Sequence, residues 1–370
     1  MIIHYSILGV ILFVSLFWNK FALQKKQIDP NAKLSLTPWL LTFGYIAFLA
    51  AMRTKYNDTS VYVSSFENAV GGWEQAIYML KNSDIKYAFT SFLENLFKGY
   101  ISEDYHAWFA FFAIIESLIF VYVYRRECND IFVPVYYFFT SSLYTNYFSM
   151  MRQWMAVSII FVALIPFKEK KWIKFALCCI FAYLIHPSAI FGVVFYFLAL
   201  GQPWKFKQTS ILVVAAIALL FMNPLLNSLE TSMDGFTYDY AIETMNTNSG
   251  SSPIRALIAF VPVVLSFICR KDIDAENSKT LNIAVNMTVF FFLLNLAASI
   301  TSGLYVVRLA TYVEPFVCIL YSYLLTRGLK PQYRRFVLVA FIVLYFAYYV
   351  YAMDHSGAGY YISDILGTFK

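Results

Sequence analysis

The chain has 370 residues, of which 60% are hydrophobic, 20% aromatic and only 14% charged, and its mean hydropathy is +0.61. Too few charges remain to cover a water-facing surface, so a soluble domain is excluded and a polytopic membrane protein is expected. The net charge of +6 then reads as membrane topology, and nothing in the sequence suggests DNA or RNA as a partner.

The first apolar run, Ile2 to Trp18, has no basic segment before it and no small-residue cleavage site after it. It is read as a retained span and not as a removed signal peptide. Further apolar runs follow at roughly 38–52, 106–124, 131–148, 150–166, 172–185, 188–200, 208–226, 254–268, 280–301, 304–326 and 336–353. About twelve spans therefore build an all-α, polytopic transmembrane helical bundle that occupies 1–370 as a single integral membrane domain. Several runs are shorter than a full crossing. The pair flanking His186 and Pro187 reads either as two spans or as one broken or re-entrant element.

Taking the loop after the first span as cytoplasmic, six alternate loops hold 19 of the 28 Lys and Arg. That bias puts both termini outside. Two long stretches also fall outside, 54–105 and 227–253. In the first, Phe89, Phe92, Leu93, Leu96, Phe97 and Tyr100 recur at helical spacing, which predicts an amphipathic helix lying on the bilayer or capping the bundle. The second carries four acids, no basic residue, and Phe236, Tyr238 and Tyr240. It reads either as a sugar-stacking loop or as a solvated acidic one.

This topology brings Arg53, Asp58, Arg152, His186 and Arg308 to the outer membrane surface from five places in the chain, where they could share one site. Arg152 opens a span at its outer end, so the positive end of the helix dipole lies beside a cation. Helix start and arginine together suit a phosphate, although an arginine snorkelling to the interface would look the same. Arg308 is flanked by apolar residues, and drawing a cation into the bilayer costs roughly 2.5 to 3.5 kcal/mol on insertion scales, so it is expected to be paired or functional. Glu116 and Glu314 lie deeper in their spans and read as arginine partners or as protonated acids. His186 could act as a base near neutral pH or cap its helix, and Pro187 behind it breaks that helix. His4, His106 and His355 match no metal motif, and no metal site is expected. The single D-x-D, Asp272 to Asp274, sits in a short inner loop with no nucleotide-binding domain around it. The five cysteines lack metal or redox spacing. P-loop, dinucleotide-binding, zinc-protease and serine-hydrolase motifs are absent.

The arrangement R-x4-D-T-x2-Y at Arg53, Asp58, Thr59 and Tyr62, followed by Arg152-Gln153 and by His-Pro-Ser-Ala at 186–189, resembles the EpsG family of bacterial exopolysaccharide membrane proteins. That family is similar in layout to Wzy-type polysaccharide polymerases. The resemblance runs from about residue 40 to 330. Family members often carry glycine before the aspartate, where this chain has Asn57, a residue that tolerates similar backbone angles.

The resemblance implies a fold like that of membrane glycosyltransferases with lipid-linked donors, placed in the bacterial cytoplasmic membrane with its active site outside. The activity it implies is polymerisation of oligosaccharide repeats carried on undecaprenyl diphosphate, with no cofactor. Donor and acceptor would both be lipid-linked, and a flippase and a chain-length regulator would be the accompanying partners. Arg152 and Arg308, with Arg53 in support, would bind the diphosphate. His186 or Asp58 would deprotonate the acceptor hydroxyl, and Gln153, Tyr62 and Tyr238 would contact sugar or support the site. A ligase shares this chemistry, and a flippase of lipid-linked sugars shares the span count but usually shows paired repeats, which are not found. An O-acyltransferase would want its histidine reachable from the cytoplasm.

Overall fold

The computed structural model describes residues 2–29, 32–82, 87–220, 251–300, 303–355 and 361–367. Among the described residues there are helices and short connections but no strand, and one isolated bridge joins Lys55 to Ile362. The chain divides into two compact units, Met1–Ile190 with Phe336–Lys370, and Phe191–Arg335.

The first unit begins with α1 (Ile2–Ile28), α2 (Leu36–Ala51), and three short helices, α3 (Thr59–Asn68), α4 (Trp73–Lys81) and α5 (Ala88–Tyr100). It continues with α6 (Tyr105–Glu127), α7 (Phe132–Thr140), α8 (Asn146–Ser149), α9 (Met151–Val162), α10 (Leu164–Lys168) and α11 (Trp172–Ile185). Its spine is the packing of α2 on α6, of α6 on α9 and of α9 on α11. Ala47, Ala50 and Ala51 on α2 are buried, and small residues let helix backbones approach closely where lipid gives no hydrophobic drive to association. Aromatic rings fill the remaining space: Phe43 meets Phe138 at 5.0 Å, and Phe120 stacks on Trp154 at 5.1 Å.

In the second unit, α12 (Ala189–Leu198), which starts in the first, leads to α13 (Phe206–Leu220), α14 (Pro253–Ile268) and α15 (Arg270–Glu276). Then come α16 (Lys279–Ile300), α17 (Gly303–Ala310) and α18 (Pro315–Tyr323), before α19 (Pro331–His355) returns to the first unit. The hub is α16, against which α13, α14, α17 and α18 pack.

Among the described residues, five helical runs are long and apolar enough to cross a membrane, or six if α14 and α15, bent by 68°, form one span. Helices α2, α11, α12 and α13 are apolar but shorter. Two expected spans are interrupted. The run 131–148 breaks after α7 at Ser142, which adopts a left-handed φ of 67°. The run 304–326 breaks before Pro315, which opens α18 where its missing N–H costs nothing. All nine residues of α7 are buried, and irregular backbone at membrane depth is tolerated where protein surrounds it.

Candidate functional site

In the first unit the ends of α2, α6, α9 and α11 meet the three short helices. The turn after α2 is fixed by its own side chains. Arg53 is 1% exposed. Its Nε donates to Thr59 Oγ1 at 3.2 Å, its Nη1 donates to the carbonyl of Ala50, and its guanidinium lies 4.1 Å from the centre of the Phe109 ring. Glu116 stands within electrostatic reach of it. Asn57 takes a φ of 41°, the left-handed turn that glycine would otherwise supply. Asp58 follows as the exposed first residue before α3.

A C-terminal segment straps this turn. Thr54 N donates to the Ile362 carbonyl at 2.8 Å, Ile362 N donates back to Lys55 at 3.0 Å, and Tyr361 Oη donates to the Leu49 carbonyl at 2.6 Å. Ser363 Oγ adds a bond to the Met52 carbonyl.

Helix α5 is locked in place from both sides. Gly71 and Gly72, with φ of 84° and 91°, bring their backbone N–H groups to Asn95 at 3.0 Å each. Lys98 donates to the last carbonyls of α3, Phe66 at 2.9 Å and Glu67 at 2.7 Å, where the helix dipole favours a cation. The buried residues of α5 are Thr90, Glu94, Asn95 and Phe97, while Tyr100 is exposed. Leu93, Leu96 and Tyr100 instead line an apolar groove of about 350 Å³ with Ile101, Trp108 and Phe111. The predicted amphipathic helix is thus present, and it turns Thr90, Glu94 and Asn95 inward together with Phe97.

That inward face meets Arg152. The guanidinium lies 4.4 Å from the Tyr87 ring centre and 5.3 Å from the Tyr62 ring centre. Tyr87 in turn stacks on His186 at 5.3 Å with 26° between planes. Thr90 donates to the Ile185 carbonyl at 3.3 Å, so α5 is docked onto the end of α11 that carries the histidine. A residue before proline is pushed out of the helical region, and His186 accordingly leaves α11 at φ −151° and ψ 119°. Its Nδ1 receives the Ser188 backbone N–H at 3.3 Å and lies 2.7 Å from Ser188 Oγ. Ser188 thus engages Nδ1 through both its backbone N–H and its hydroxyl.

Glu94 completes the arrangement. It is 7% exposed and accepts a hydrogen bond from Ser65 Oγ at 2.9 Å. Burial raises its pKa above the ordinary carboxylate value, against the smaller opposing effects of Ser65, Arg152 and Lys98.

Of the residues expected from the sequence, Tyr62, Arg152 and His186 are joined by this run of ring contacts. Arg53 lies behind it, buried. Asp58 is exposed, and Gln153 is buried in the first turn of α9. Arg308 belongs to the second unit, half-buried on α17; there Glu314 pairs with Arg255 at 3.9 Å and Asp274 of the D-x-D pairs with Lys205 at 2.9 Å. Tyr238 lies outside the described residues. Tyr87, Glu94 and Ser65 were not singled out by sequence reasoning. The available signal was the spacing of Thr90 and Glu94, which puts both on one face of α5.

An all-helical, multi-pass membrane protein with a cationic, aromatic-walled site at converging helix ends is the class this architecture defines. The EpsG family profile matches residues 36–363, and the chain belongs to that family. It is accordingly an exopolysaccharide-associated membrane protein. No curated protein and no solved structure matches it.

Proposed function

We propose that this protein is a polysaccharide polymerase that joins oligosaccharide repeats carried on undecaprenyl diphosphate, at the outer face of the bacterial cytoplasmic membrane. The observation that supports this reading is Arg152, held between the Tyr62 and Tyr87 rings with His186 stacked behind. Flat aromatic walls restrict the guanidinium without using its N–H donors, which suits bidentate recognition of a diphosphate. Those rings also offer faces for sugar.

In the reaction an acceptor hydroxyl attacks the anomeric carbon of the donor chain and expels the lipid diphosphate. Arg152 stabilises the charge that grows on the leaving oxygen, an effect typically worth about 10²–10³ in rate for one well-placed donor. Arg308, in the second unit, is assigned the same chemistry on its sequence setting alone. The acceptor proton passes to a base on the same face, for which His186 and Asp58 are the two candidates named by the sequence. A flippase that delivers the donor and a regulator of chain length are the proposed partners.

The test is made in cells. Arg152→Ala or Arg308→Ala should leave single repeats on the lipid while the protein inserts at wild-type level. Full-length polymer from both variants would overturn the assignment. A flippase defect would instead leave the repeats facing the cytoplasm.

A further inference from the structure

Helix α5 buries polar residues as well as Phe97. Its Leu93, Leu96 and Tyr100 line the apolar groove, and its Thr90, Glu94 and Asn95 are buried. Each polar residue on that inner face has a partner across the fold or within the helix hairpin. Thr90 reaches the Ile185 carbonyl, Asn95 receives Gly71 and Gly72, and Glu94 accepts from Ser65. Thr90 and Asn95 bind backbone and hold α5 in place. Glu94 binds one side-chain hydroxyl, and Arg152, the cation of the proposed site, lies within electrostatic reach of its carboxyl group.

Burying an acid is costly unless the charge is compensated, and Glu94 keeps only partial compensation. Arg152 comes from α9, Lys98 from its own helix with its ammonium committed to the end of α3, and Ser65 from α3. A carboxyl group perturbed by burial and set beside a specific charge in a functional site is the signature of an acid–base residue. The other two candidates fit less well. His186 already has its Nδ1 engaged by Ser188, and Asp58 is exposed.

We propose that Glu94 is the general base of the transfer, placed by Ser65. This rests on the polymerase reading. The acceptor O–H proton passes to the Glu94 carboxylate as the bond from that oxygen to the anomeric carbon forms. The bond from the anomeric carbon to the diphosphate oxygen breaks, and its electron pair leaves with the lipid diphosphate beside Arg152. Glu94 then returns its proton to water.

The experiment uses the purified full-length chain and the native lipid-linked repeat extracted from cells that lack this protein. Wild type must extend the repeat; if it does not, the polymerase reading fails before Glu94 is at issue. Given extension, Glu94→Gln should lower turnover about 100-fold with the donor KM little changed, and Glu94→Asp should keep more activity than Glu94→Gln. Added formate should restore extension to Glu94→Ala, which a structural defect would not allow. The wild-type rate should rise with pH through the raised Glu94 pKa, and the residual Glu94→Gln rate should lose that limb. Extension by Glu94→Gln at the wild-type rate, or Glu94→Ala that folds but is untouched by formate, would overturn the inference.

Discussion

The turn that holds Arg53 and the helix start that holds Arg152 are neighbours through Tyr62, which lies near both cations, yet they treat a guanidinium in opposite ways. Behind α2, Arg53 is buried and spends its donors on Thr59 and the Ala50 carbonyl, with the Phe109 ring against its face. At the start of α9, Arg152 is half-buried and held by ring faces, which leave in-plane donors for a ligand. The difference separates building from binding. Arg53 is shut inside its own turn, although its buried Nη2 has no hydrogen-bond partner among the described residues, whereas Arg152 is half-buried against aromatic faces. We propose that Arg53, 1% exposed and bonded to Thr59, positions the Asp58–Tyr62 segment.

The largest effect that would break this contrast is on Arg152. Arg152→Ala should weaken inorganic diphosphate competition and lower extension by about 100-fold or more, with an unchanged thermal midpoint in detergent. Arg53→Ala should do the reverse in kind. Removing one member of a buried charged network costs on the order of 3 kcal/mol, read as a lower thermal midpoint and poorer membrane yield, with activity falling in proportion to folded protein.

The C-terminal strap supplies a smaller test. Ending the chain before Tyr361 removes the bonds to Leu49, Met52, Thr54 and Lys55. Each net hydrogen bond is worth about 1 kcal/mol, so the truncated protein should melt lower, while Ser363→Ala alone should shift it slightly. Glu94 gives a pH test of stability. Because burial raises its pKa in the folded state, its contribution is present below the ordinary carboxylate value of 4.5 and is lost as pH rises through the raised value. Glu94→Gln should flatten the melting temperature across that window. Smallest of all, Asp58→Asn should leave extension within about threefold, since Asn and Asp serve alike before a helix; a loss comparable to that of Arg152→Ala would restore Asp58 as the base.

Much of the fold was legible because hydrophobic runs and their charged ends are read directly from lipid physics. Asn57 in a left-handed turn and the break at His186-Pro187 followed from single-residue conformational preferences. What periodicity cannot give is which face of a helix points inward. The apolar stripe of α5 was visible, but at a membrane surface that stripe can face lipid, and periodicity alone did not draw attention to Glu94 on the opposite side. Nor does sequence say that an arginine has found internal partners, which is why sequence reading sets Arg53 beside Arg152 as a supporting diphosphate ligand. The interruption at Ser142 was hidden inside an apolar run that protein, and not lipid, surrounds, whereas Pro315 itself marks the break before it.

The most direct measurement gives the purified protein, in lipid nanodiscs, one species of lipid-linked repeat and separates the products by length. The account predicts a ladder of longer chains on the lipid from wild type and only the starting repeat from Arg152→Ala. An unchanged single repeat from folded wild type, or the same ladder from Arg152→Ala, would contradict it.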